Sequence, residues 1–145
     1  MSVDVVTEAA IAAPIDMVSR FSADPTNAPE WYDNIRSVRW ETDPPLAVGT
    51  RVAFVARFLR RELAYTYEIV EFDPGVRLVM RTAQGPFPMA TTYTWQPVDG
   101  GTRMTLRNQG APKGFGRFAA AIMVPAMRRE NRKDLAKLRT ILESR

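Results

Sequence analysis

"GTRVAFVARFLRRELAYTYEIVEF", residues 49–72, decides the architecture of this chain. Val52, Phe54, Ala56 and Phe58 fall on one side of an extended backbone, with Arg51 and Arg57 on the other. The alternation resumes at Leu63, Tyr65, Tyr67 and Ile69, and it stops at the turn sequence Asp73-Pro74-Gly75. An apolar residue at every second position is the period of a half-buried strand. Strands of this pattern with basic outward residues belong to antiparallel sheets that keep one wet face.

The same period extends in both directions. Upstream, "NIRSVRWETD" ends at Pro44-Pro45. Downstream, "VRLVMRT" sets Leu78 and Met80 against Arg77 and Arg81, and "MATTYTWQP" puts Tyr93 and Trp95 on one face. "TRMTLRN" sets Met104 and Leu106 against Arg103, Thr105 and Arg107, and Asp99-Gly100-Gly101 between these last two segments is a hairpin signal. Val3 to Ile11 alternates in the same way. Two interruptions follow it. Pro14 opens "PIDMVSRFS", in which Ile15, Val18 and Phe21 recur at helical spacing, and proline suits a first helical turn because that N–H is unpaired anyway. Asp24-Pro25 starts a second short turn or helix that Pro29 ends, so Trp31 and Tyr32 follow a pair of short helices.

After Lys113 the period lengthens. Phe115, Phe118, Ala119, Ile122, Met123 and Ala126 recur at helical spacing, and Leu135, Leu138 and Leu142 do so again. Pro125 lies between the two stripes, which predicts a bend between Ala121 and Pro125. The reading is an α+β, helix-grip arrangement: a curved antiparallel sheet of about seven strands wrapped around a long C-terminal helix, with two short helices after the first strand. One domain over residues 1–145 accommodates it.

Composition narrows the chemistry. The chain has no cysteine and no histidine, which excludes disulfides, thiol nucleophiles, a Ser-His-Asp triad and the commonest metal ligands. No metal and no cofactor are expected, and any reaction has to use carboxylates, Tyr, Lys, Arg, Ser or Thr. The N-terminus carries acids where a signal peptide carries its basic segment, and no apolar run reaches the length of a membrane span. A cytoplasmic protein without integral membrane association is expected, as a monomer or a homodimer. Residues 128–145 hold seven Lys/Arg and three Asp/Glu, so this one segment equals the net charge of +4. No aromatics interleave those basic residues to stack on bases, so no nucleic-acid partner is expected.

Several motifs resemble the polyketide cyclase/dehydrase branch of the START-like superfamily, also called SRPBCC. They are "IAAPIDMVSRFSADPTNAPEW", "YEIVEFDPGVRLVMR", the "GPF" at 85–87, "TYTWQPVDGGTRMTL" and the final "DLAKLRTILE". The resemblance implies the helix-grip fold and an internal cavity between sheet and C-terminal helix. It implies no shared catalytic motif, since the superfamily holds aromatase/cyclases beside lipid and sterol carriers. The expected partner is a hydrophobic or aromatic small molecule, lipid-like or polyketide-like. The alternatives are a cyclase/dehydratase acting on a poly-β-carbonyl chain, and an interaction protein using the basic C-terminal helix.

The candidate ligand-binding residues are Trp31, Phe54, Phe58, Tyr65, Tyr67, Met80, Met89, Tyr93, Phe115, Phe118, Ile122 and Met123. Trp31 either lines the mouth or wall of the cavity or plugs the short helices onto the sheet. Tyr65, Tyr67 and Tyr93, on the inward face, are also the catalytic candidates, because a tyrosine hydroxyl can act as an acid or hold an enolate. The carboxylates are assigned mostly to outer faces and loops. Gly110 to Gly116 reads as a hinge that lets the start of the C-terminal helix move as a lid.

Overall fold

The computed structural model describes residues 2–112 and 119–145. The chain order is β1 (Val3–Ile11), α1 (Ile15–Ala23), a 3-10 turn (Pro25–Asn27), α2 (Ala28–Trp31), β2 (Ile35–Trp40), β3 (Arg51–Phe58) and β4 (Arg61–Asp73). It continues with β5 (Arg77–Gln84), β6 (Met89–Val98), β7 (Gly101–Gly110) and α3 (Ala119–Glu143). All seven strands form one antiparallel sheet in the order β1-β7-β6-β5-β4-β3-β2. This is the α+β, helix-grip architecture that the sequence predicts, down to the pair of short helices after β1.

Alternation sets the two faces. Val52, Phe54 and Ala56 of β3, Tyr67 and Ile69 of β4, Leu78 and Met80 of β5, and Tyr93 and Trp95 of β6 are buried. The outward residues make cross-strand ion pairs, among them Arg51 with Glu68 at 3.0 Å and Arg107 with Asp4 at 2.6 Å. Such exposed pairs contribute little stability. Burial of the inner face dominates, at about 25 cal/mol per Å² of apolar surface. Register shifts in β4 against β5, at Thr66/Tyr67 and Ile69/Glu71, and in β2 at Ile35/Ser37 add the local twist that curls the sheet.

The turns show where sequence signals hold and where they are missing. Asp99-Gly100 closes the β6–β7 hairpin with Gly100 at φ 80°, and Val98 pairs with Gly101. A side chain on Gly101 would collide with the Ile11 carbonyl oxygen, so the end of β1 packs here only against glycine. By contrast, β3 turns into β4 at Leu59-Arg60, with φ 50° and 64°. Left-handed angles at two bulky residues are costly, and nothing in their chemistry announces the turn.

Helix α3 runs through Pro125. Its C-terminal half presents Leu135, Leu138 and Leu142, all fully buried, to the sheet. At its end the Glu143 carboxylate accepts the Ala12 N–H at 2.8 Å, which joins the helix to the exit of β1. The inward stripe expected at the start of the helix needs correction at Ile122, which is 54% exposed while Met123 is 4% exposed. On a helix the two lie roughly 100° apart, and the line through Met123, Met127, Asn131 and Asp134 is the one that faces the sheet.

Candidate functional site

A cavity of about 140 Å³ lies between the concave face of the sheet, the short helices and α3. A volume of roughly 150 Å³ holds one benzene ring. Its walls are apolar and aromatic. Of the residues singled out from the sequence, Phe54, Phe58, Tyr65, Tyr67, Met80, Met89, Tyr93 and Met123 line it together. Phe54, Tyr65 and Tyr67 form one aromatic cluster, with ring centroids 5.0–5.9 Å apart. Ile122 points away, and Phe115 and Phe118, like most of the expected hinge, lie outside the described residues.

Trp31 is fully buried and is absent from the cavity wall. Its ring packs tilted against Tyr32 at 4.2 Å and against Tyr93 at 5.8 Å, so it plugs the short helices onto the sheet. The prolines before it turn the chain inward, and the next residue, Tyr32, supplies the cavity surface.

The tyrosine hydroxyls are organised in pairs. Tyr32 Oη and Tyr93 Oη are 2.7 Å apart. Tyr67 Oη lies 2.8 Å from Thr91 Oγ1, which donates to Asn108 Oδ1 at 2.7 Å. Thr91 commits its proton to Asn108, so Tyr67 is the donor to Thr91. Burial pushes the Tyr67 hydroxyl up to about 12, against the opposing effect of the Thr91 bond. Burial, with neighbouring tyrosines adding to it, holds Tyr32 and Tyr65 well above the usual phenol range, and burial raises Tyr93 too. These hydroxyls therefore stay protonated near neutrality. They can donate hydrogen bonds but cannot act as bases.

Sequence reasoning missed the opposite wall. Asp134 is 1% exposed and Asn131 is 5% exposed, and both line the cavity with Asn34 and Glu130. Asp134 Oδ1 accepts the Asp33 N–H at a long 3.3 Å. The neighbouring lysines are committed elsewhere: Lys137 Nζ binds Asp33 at 2.9 Å, and Lys133 Nζ lies 3.9 Å from both Asp33 and Glu130. Burial, helped by the nearby Glu130 and Asp33 charges, pushes the Asp134 carboxyl up to about 7, against the Asp33 N–H and Lys133. Asn34 Oδ1 and Asn131 Nδ2 are buried and lack hydrogen-bond partners among the described residues. The signal in the sequence was the spacing 131, 134, 135, 138, 142, one helical stripe in which two of five positions are polar.

Residues 2–143 match a family described as polyketide cyclase/dehydrase and lipid transport. The chain belongs to this family. Among curated proteins, none matches the chain significantly. Solved structures carry the same fold as this polyketide cyclase/dehydrase family chain. TTHA0849 from Thermus thermophilus is 21% identical, with 97% of each chain covered and a TM-score of 0.83. The Zhui aromatase/cyclase from Streptomyces sp. R1128 is 16% identical, covers 99% of this chain and 94% of its own, and has a TM-score of 0.81. The major latex-like protein 151 from Panax ginseng is 12% identical, with 97% of each chain covered and a TM-score of 0.74. At these identities the likeness speaks to the fold. Among the described residues, no helix is long and apolar enough to cross a membrane, and no three of His, Cys, Asp or Glu gather as a metal site.

Proposed function

We propose that this protein binds a small hydrophobic or aromatic molecule in the cavity between the sheet and α3. The observation that carries this reading is a wall of aromatic and methionine side chains, with polar groups confined to a few places that can orient a ligand. Titration with ethylbenzene, followed by NMR, is expected to give saturable shifts at the methyls of Met80, Met89 and Met123. Shifts that never saturate, or that scatter over exposed methionines such as Met17, would reject the cavity as a binding site.

A second reading is a cyclase or dehydratase reaction, and Asp134 is the observation that favours it. General acid–base catalysis works best with a group that titrates near the working pH, and the Asp134 carboxyl is at about 7. In this reading Asp134 exchanges protons with the substrate, while Tyr65 and the member of the Tyr32–Tyr93 pair whose proton is free donate hydrogen bonds to its carbonyls. Tyr67, whose proton goes to Thr91, holds the wall in place. Asp134→Asn is expected to lower turnover of a poly-β-carbonyl thioester by about 100-fold or more, of the order that acid–base groups contribute. Full turnover in that variant would remove Asp134 as the acid–base group.

A further inference from the structure

The described lining of the cavity contains the carboxylates of Glu130 and Asp134 and no lysine or arginine. That is unexpected in a chain with 20 basic and 16 acidic residues. The ammonium groups of Lys133 and Lys137, on the same helix, engage Asp33 rather than Asp134. A buried carboxylate without a cation is costly, whereas one that meets a cation inside the protein recovers much of that cost. The cavity around it otherwise offers aromatic rings and the oxygens that ammonium groups favour. Phe54, Tyr65 and Tyr67 supply a cluster of rings against which the ring of a ligand can pack. Asn34 Oδ1 is a buried acceptor with no donor among the described residues, and the Tyr32–Tyr93 hydroxyl pair offers further lone pairs.

We propose that the Asp134 end of the cavity is a site for an ammonium group, so that the ligand is an aromatic amine of the arylalkyl type rather than an aryl carboxylate. The inference rests on the cavity being a binding site and adds the charge of what enters it. The ligand ring takes the apolar volume beside Phe54, Tyr65 and Met80. Its ammonium group donates to Asp134 and to Asn34 Oδ1. The buried Asn131 side chain borders the same end, and rotation of its amide places the carbonyl oxygen where an ammonium could donate to it.

Binding is then linked to protons. The groups facing Asp134 are Glu130 and Lys133 from its own helix, Tyr32 and Asp33 from the segment after α2, and Tyr93 from β6. The tyrosines keep their protons across the accessible range, and Asp33 is held ionised by Lys137. Asp134 is the member of this set that must lose a proton for an ammonium to bind tightly.

Three molecules of one size separate the outcomes: benzylamine, benzyl alcohol and benzoate, each titrated calorimetrically against the full chain at pH 8 and pH 5.5. At pH 8 benzylamine is expected to bind at least tenfold more tightly than benzyl alcohol, and benzoate more weakly than either. At pH 5.5 the amine's advantage should shrink at least tenfold, and near pH 6.5 its binding should release up to about one proton, visible as a dependence of the heat on the buffer. Asp134→Asn should weaken benzylamine at least tenfold at pH 8 and abolish the pH dependence of its binding, with an unchanged circular dichroism spectrum showing that the variant is folded. Benzylamine that keeps its affinity and pH dependence in the variant would overturn the ammonium site. Benzyl alcohol that binds as tightly as the amine, or benzoate that binds best, would overturn the ammonium site and leave the cavity reading standing. If none of the three binds and ethylbenzene also fails, the cavity reading falls and the inference falls with it.

Discussion

Replacing Asp134 with asparagine is expected to stabilise the ligand-free protein at pH 8, by roughly 4 kcal/mol, and to change it little below pH 4. The sign follows from the direction of the shift. Burial raises the Asp134 carboxyl from its ordinary 3.8 to about 7, so the folded chain holds this proton more tightly than the unfolded chain does. Below about pH 4 both states are protonated and the group contributes nothing. As pH rises from about 4 to 7 the unfolded chain ionises freely while the folded chain resists, and stability falls by about 1.4 kcal/mol per unit. Above 7 the loss is complete. Asparagine has nearly the same shape and no charge to bury. Asp4, Asp33 and Glu143 are lowered by their hydrogen bonds and ion pairs, so they lose stability at acid pH, but equally in both proteins. Urea unfolding of the two proteins from pH 4 to pH 8 isolates the effect. A difference that stays constant across that range would show that Asp134 is ionised without penalty in the folded state.

The second large effect belongs to Trp31. Trp31→Ala is expected to cost about 3–5 kcal/mol, because a fully buried indole leaves a void that its neighbours fill only in part. Trp31→Phe should cost only about 1 kcal/mol. Phenylalanine keeps a ring packed against Tyr32 and Tyr93 and removes the indole Nε1–H, which is buried without a partner among the described residues. Denaturant midpoints, read by circular dichroism, separate the two. Equal losses in both variants would mean that the indole nitrogen, rather than the ring's bulk, is what the site requires.

The fold was legible because it is written in period two. Every strand from β3 to β7 places its large apolar residues at alternate positions, and the Asp73-Pro74-Gly75 and Asp99-Gly100 turns are spelled in residues that accept the required angles. The Leu59-Arg60 turn was not legible, since neither residue favours a left-handed backbone and tertiary pairing imposes it. The site was half legible. Alternation brought Phe54, Tyr65, Tyr67, Met80 and Tyr93 to one face, and all five line the cavity. Helix α3 defeated the same reasoning twice. Ile122 was placed on the inward stripe with Met123, but the buried line runs from Met123 to Leu142 and leaves Ile122 outside. Asn131 and Asp134 sit on that line, and an acidic side chain in a basic helix reads as solvated unless its angular position is weighed against its polarity.

The strand order has a consequence for how the chain is made. Every neighbouring pair from β2 to β7 is joined by a local hairpin, but β1 pairs only with β7, Val3 opposite Gly110. Contacts that distant in sequence form slowly, because a long loop has to be closed before they contribute anything. During synthesis the first strand emerges from the ribosome and waits for about a hundred further residues before its edge partner exists. The helix that covers the aromatic face arrives later still. Until then the six-stranded meander carries an uncovered apolar surface and an unpaired edge at the same time, the combination most prone to aggregation. Production of this protein should therefore be limited by the interval between translation of β1 and release of α3. Slower elongation through the codons of β7 and α3 lengthens that exposure, and fusion of a solubilising domain ahead of β1 shields nothing on the β7 edge.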